Sequence, residues 1–166
     1  MKKIIFLIII SVAINLHSQN NIKRIEFYTE GYASAPDFDI IIYSDRIAVF
    51  IARSDNYKQK VNGDIVPYGV NENGVNIRDS EVVGIYKTKL KKKTFNKLLR
   101  LINSLKNEFK KQIYSSNQLH NSEAKLIVLL KNGETISIHD TGLNGTIELV
   151  ELYNFFKIMR FNEKWE

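Results

Sequence analysis

The chain has 166 residues, no cysteine, and 24 lysines and arginines against 18 aspartates and glutamates, a net charge of +6. Without cysteine there are no disulfides, no thiolate metal sites, no thiol nucleophile and no lipid on a cleavage-site cysteine. The length suits one domain whose core stands without covalent staples.

The N-terminus reads as a secretory leader. Lys2 and Lys3 form a positive start, residues 4–14 (IIFLIIISVAI) an apolar run, and NLHSQN a polar exit. The run is shorter than the 18–20 or so apolar residues a membrane span needs. Cleavage after Ser18 keeps the run whole. Ser11 and Ala13 fit the small-x-small rule better but shorten it. The expected division is therefore a signal peptide over 1–18 and a single domain over 19–166. The mature protein is exported, periplasmic or secreted, and not an integral membrane protein.

Residues 22–29 (IKRIEFYT) predict a first strand, and residues 38–43 and 46–52 a hairpin turning at Ser44-Asp45-Arg46. Arg46 does not adopt positive φ cheaply, so a turn longer than two residues fits. Residues 53–80 are rich in Asn, Gly and Asp and suggest a long hairpin excursion. A strand over 82–90 runs into KKKTFNKLLRLINSL, where Phe95, Leu98, Leu99, Ile102 and Leu105 follow helical spacing. Residues 124–140 predict a second hairpin with Asn132-Gly133 as a type I′ turn. A last helix spans about 146–161, with Glu148 and Glu151 early and Lys157 and Arg160 late, as the helix dipole prefers. The fold class is α+β: a mainly antiparallel sheet with two helices on one face.

One segment carries a resemblance. Gly31-Tyr32-Ala33-Ser34-Ala35-Pro36, then Phe38 and the turn at Asp45-Arg46, resembles a family of small exported bacterial domains of unknown function. In that family a first strand leads to Cys-Phe-Gly-x-Cys-Pro and a hairpin turning on Asp-Gly. The later order of strand, helix, hairpin, final helix and near-terminal tryptophan (Trp165) is similar too. Gly31 and Ala35 replace both cysteines, so the resemblance implies a fold and an exported setting, and no activity.

Candidate chemistry is sparse. Asp37 and Asp39 alternate on one strand and share a face, the arrangement of a carboxylate pair for a hard cation or acid/base work. The competing reading sets them opposite the core residues Phe38, Ile40 and Ile42, as a polar border. His139-Asp140 looks like a phosphohydrolase dyad, but neighbours on a strand point to opposite faces. His120 falls in a polar loop. Residues 71–79 (NENGVNIRD) are oxygen-rich without an EF-hand register. No phosphate loop, nucleophile elbow or H-E-x-x-H occurs. We expect no catalytic residues, no metal and no cofactor.

Two binding features stand out. Residues 87–111 hold ten bases and one acid. On the helix, Lys93, Lys97 and Arg100 form a stripe suited to polyanions such as lipid head groups or surface polysaccharide. Aromatics are not interleaved there, which disfavours nucleic acid. The last helix is apolar nearly all round. Leu149, Leu152, Tyr153, Phe156 and Met159 make one stripe, and Val150, Phe155 and Ile158 are left for a partner. The leading expectation is an exported binding domain that contacts an envelope or secreted protein, in an inhibitor-like or immunity-like role, or a second copy of itself. The alternatives are a binder of envelope polyanions and a metal-dependent hydrolase around Asp37, Asp39 and His139.

Overall fold

The computed structural model describes residues 21–31, 36–54, 56, 81–105, 113–115, 122–143 and 145–166. The leader, most of the 53–80 excursion with its oxygen-rich loop, His120 and residues 32–35 lie outside the described residues. Seven strands are described: β1 Ile22–Glu30, β2 Asp37–Tyr43, β3 Ile47–Ser54, β4 Gly84–Lys89, β5 Ile113–Tyr114, β6 Glu123–Leu130 and β7 Thr135–Thr141. Helix α1 is Lys92–Ser104 and α2 is Ile147–Asn162. The strands form one sheet in the order β4-β3-β2-β1-β6-β7-β5, antiparallel except for the β5–β7 pair. Strand β5 is two residues long, too short to leave a periodic signal in the sequence.

Alternation along the strands divides the sheet into two faces. Ile25, Phe27, Phe38, Ile40, Ile42, Phe50, Leu126, Val128 and Ile138 are buried on one of them. Both helices bury their apolar sides in that same cluster, α1 with Leu98, Leu99 and Ile102, α2 with Leu149, Leu152, Phe156 and Met159. At its centre Phe27 of β1 stacks on Phe156 with centroids 4.3 Å apart, and Tyr153 lies 5.6 Å away. Among the described residues the other face carries no helix.

The two helices start very differently. Thr146 caps α2 by accepting from Leu149 N at 3.4 Å, Glu148 sits in the first turn and Arg160 in the last. The Glu148 carboxyl is held below its ordinary value by its own backbone N–H and by Thr146. Helix α1 has no side-chain cap and no acid in its first turn, and it opens on Lys91, Lys92 and Lys93. Cations there oppose the helix dipole. Its burial, not its ends, makes α1 a helix.

Both described hairpins use the same turn. Arg46 N donates to Tyr43 O at 2.9 Å, and Gly133 N donates to Leu130 O at 3.1 Å. The acid or amide one residue earlier closes each loop: Asp45 Oδ1 accepts from Ile47 N, and Asn132 Oδ1 from Glu134 N. Arg46 (φ 73°) and Gly133 (φ 91°) each end the turn in the left-handed region. Asn132 is not among the residues of positive φ, which corrects the expected type I′ turn. Each hairpin is instead a type I turn followed by one left-handed residue.

The β7–α2 junction is held by Asp140. Its fully buried carboxylate accepts from Gly145 N at 2.9 Å and from the Tyr153 hydroxyl at 3.0 Å. Burial first, and then the Asp140 charge, push the Tyr153 phenol well above its ordinary pKa. A side chain at 145 would put its Cβ 2.6 Å from Asp140 Oδ2 and 2.7 Å from Leu149 Cδ1.

Gly145→Ala should therefore destabilise by about 2 kcal/mol, as forced overpacking does, read as a lowered urea midpoint. The two turns give opposite outcomes. Gly133→Ala has nothing within 4 Å of the new Cβ, so only backbone strain of about 1 kcal/mol should appear. Arg46→Gly should stabilise by about 0.5 kcal/mol, the strain relieved less the added freedom of the unfolded chain.

Candidate functional site

Helices α1 and α2 lie side by side, tied near one end by Thr94 Oγ1 donating to Glu163 Oε1 at 3.2 Å. Between them runs an open groove of about 520 Å³. Lys91, Lys93, Lys97 and Arg100 line it from the α1 side, and Phe155, Ile158 and Met159 from α2. Glu151 and Glu163 are its two acids. The Lys97 ammonium stands 5.7 Å from the centre of the Phe155 ring, within reach of a cation–π attraction. The groove thus unites two features that are far apart in the chain, the cationic stripe of α1 and the surplus apolar residues of α2. Val150 is exposed on α2 but does not line it, and Ile147, 85% exposed, lies at the helix start.

Asp37 and Asp39 sit on the helix-free face of β2. The β2–β3 register slips at this point: Asp37 pairs with Ser54 and Phe38 with Ala52, which leaves Arg53 as the extra residue of a bulge. A bulge re-aims its side chain, and this one carries Arg53 across both acids. Its Nε donates to Asp37 Oδ1 at 2.7 Å, Nη1 to Asp39 Oδ2 at 2.5 Å and Nη2 to Thr29 O at 2.9 Å. The two carboxylates hold the guanidinium well above its usual pKa despite its partial burial. Asp39 is 7% exposed, and burial, partly offset by Arg53, raises its carboxyl above the ordinary value. Beside it Tyr28 donates to Glu26, which also pairs with Arg24. Burial and the Glu26 carboxylate push the Tyr28 phenol up to about 12. The carboxylate pair is thus bridged by an arginine.

His139 and Asp140 point to opposite faces. His139 Nε2 meets Glu123 Oε2 at 2.9 Å on the helix-free face, whereas Asp140 is buried in the latch described above. Asp39, Tyr28, Lys125 and His139 are successive register partners across β2, β1, β6 and β7. Three strand spacings, about 14 Å, therefore separate Asp39 from His139. The structure does not bring these groups together, and among the described residues no three His, Asp or Glu side chains are placed to share a metal ion.

From its spacing alone Arg160 is only a helix-end cation. Arg160 is turned inward and buried, its guanidinium 4.5 Å above the Phe38 ring, and it donates to Asn56 Oδ1 at 2.6 Å. The sequence holds a trace of this, because Arg160 is one position past Met159 and four past Phe156, on the edge of the buried stripe.

The Arg53 bridge yields a pH-dependent expectation. Arg53→Met leaves Asp39 ionised and poorly solvated, and should cost about 1–2 kcal/mol at pH 7, discounted because the arginine side chain is 41% exposed. Without its partner the Asp39 carboxyl rises further. The penalty is absent below the ordinary value of 3.8 and grows as pH rises through the folded pKa. The gap to wild type should narrow in urea melts as pH falls toward 4.

No curated protein and no solved structure matches the chain. Among the described residues no helix is long and apolar enough to cross a membrane. Residues 23–160 match a domain of unknown function, DUF6438, and the chain belongs to that family.

Proposed function

We propose that this is an exported binding domain that grips a segment of a protein partner in the groove between α1 and α2, in an inhibitor-like or immunity-like role outside the cytoplasm. The observation that carries the reading is the union of Lys93, Lys97 and Arg100 with Phe155 and Ile158 along one groove. Export rests on the leader pattern of residues 1–18. Four cations against two acids ask for a partner with net negative charge, and the apolar strip asks for apolar side chains between those charges. A bare polyanion would leave that strip unused and would meet Glu151 and Glu163. The helix start supports the same reading. Lysines at 91–93 oppose the dipole of their own helix, so they weaken α1 and serve what lies beyond it.

A photo-cross-linking residue at Ile158, with Ile85 on the opposite, helix-free face of β4 as control, tests the proposal in the cell of origin. A protein captured from 158 alone, and lost in the Lys93→Glu, Lys97→Glu, Arg100→Glu triple variant, supports it. Capture of lipid or polysaccharide only, or capture indifferent to the charge reversal, overturns it. Stability and binding should also separate. Lys93→Glu is expected to stabilise the free domain by about 0.5 kcal/mol through the helix dipole and to weaken partner binding about 10-fold. A stabilised variant with unchanged affinity would remove Lys93 from the interface. Retention of the leader in cytoplasmic protein would overturn the exported setting.

A further inference from the structure

A second hollow of about 520 Å³ lies at the other side of the α2 C-terminus. Phe50 of β3, Tyr86 of β4, Phe161 and Trp165 form its aromatic walls, with Asn56 and Arg160 as its inner polar groups and Lys164 at the margin. It is a built site. Trp165 donates from Nε1 to Arg160 O at 3.1 Å and packs 5.3 Å from Phe50. The chain end is tied to the sheet edge, with Lys87 N donating to Glu166 O at 2.7 Å and Glu166 N to Lys87 O at 3.0 Å. Asn56, 2% exposed, is held in turn by donating to Asp37 O at 2.7 Å and Ser54 O at 2.8 Å.

Arg160 is 7% exposed and sandwiched between the Phe38 and Phe161 rings at 4.5 and 4.9 Å. A guanidinium has five N–H donors. Nη1 donates to Asn56 Oδ1 and Nε to Lys157 O at 3.3 Å, and no carboxylate of the described residues pairs with it. The one acid on the wall, Glu163, accepts from Thr94 instead. A charge buried so far is ordinarily paired. The contrast is internal to this protein, since Arg53, far more exposed, has two acids. Burial pushes the Arg160 guanidinium down to about 10, and Lys157 is lowered by its own burial and by the Arg160 charge. Among the described residues no acid pairs with this local excess of positive charge.

We propose that this hollow binds a small organic monocarboxylate with an aromatic or branched apolar body, its carboxylate on the Arg160 guanidinium and its body against the aromatic wall that Phe50, Tyr86 and Trp165 form together. One guanidinium matches one negative charge and meets a carboxylate in planar, bidentate fashion. A dianionic phosphate would be left half-neutralised. The volume lies within the usual range for small-ligand pockets. This site is distinct from the α1–α2 groove, although Glu163 lies on the wall of both.

Trp165 is the only tryptophan of the chain and reports on the hollow directly. The experiment titrates the full chain with 3-phenylpropionate, 4-methylpentanoate, the neutral 3-phenylpropanamide and inorganic phosphate, following Trp165 emission. Saturable binding of at least one carboxylate is expected, with the amide weaker by about 10-fold or more. Arg160→Met should keep the fold, since an apolar group replaces an unpaired buried charge, and should lose the preference for carboxylate over amide. Lys97→Glu, in the other groove, should leave the titration unchanged, so failure here is distinguishable from failure of the groove reading. The proposal is overturned if neither carboxylate saturates below about 10 mM, a weak-ligand limit. It is equally overturned if amide or phosphate binds as well as carboxylate, or if folded Arg160→Met keeps the preference.

Discussion

The packing of α2 across the middle of the sheet governs the rest of the molecule. Phe156 lies flat on Phe27 of the central strand β1, Tyr153 sits beside it, and the Asp140 carboxylate ties Tyr153 and Gly145 to the end of β7. Stacked aromatics and a satisfied buried carboxylate leave the helix little freedom to rotate or slide. With that helix placed, α1 has only the remaining part of the same face to cover, and the groove between the two follows. The same placement carries the end of α2 to the β3–β4 edge, where Arg160 enters beneath Phe161 and over Phe38.

Charge is handled in two opposite ways. On the helix-free face Arg53 bridges Asp37 and Asp39, and Glu26 gathers Arg24 and Tyr28, so that each charge has an opposite charge in contact. Such networks are expected where charge leaves water. At the helices, positive charge is left over among the described residues: lysines crowd the wrong end of α1, and Arg160 is buried with no described acid paired to it. Folding alone gives no reason for either. Local conflict that the fold does not require is where function is to be sought, and both excesses border a hollow of ligand size.

Much of the fold was legible because burial writes a period into the chain. Alternation in β1, β2, β3 and β6 and the 3.6-residue spacing in both helices are direct consequences of one covered sheet face. At Arg46 the steric cost of positive φ leaves room for a turn longer than two residues, and the hairpin has one. Asn132-Gly133 misled, since that dipeptide favours a type I′ turn, whereas the hairpin sets Gly133 alone at positive φ after a type I turn. Strand β5 was missed because two residues carry no period. For the candidate sites, Lys93, Lys97 and Arg100 and the surplus apolar residues of α2 could each be named from spacing, but not their proximity.

By itself the amino-acid sequence determined what local rules control: the exclusion of thiol chemistry, the helices and the longer strands, the α+β class, the opposite faces of His139 and Asp140, and the shared face of Asp37 and Asp39. Each of these depends on residue type or on a fixed backbone period. Only the tertiary structure decided which of these groups meet. A register slip of one residue at Arg53 turned an apparent carboxylate pair into a bridged ion cluster. Docking of α2 set Phe155 against Lys97, and placed Arg160, 104 residues from Asn56 in the chain, within hydrogen-bond reach of it. Partnerships over such separations follow from how whole surfaces pack, and no local pattern encodes them.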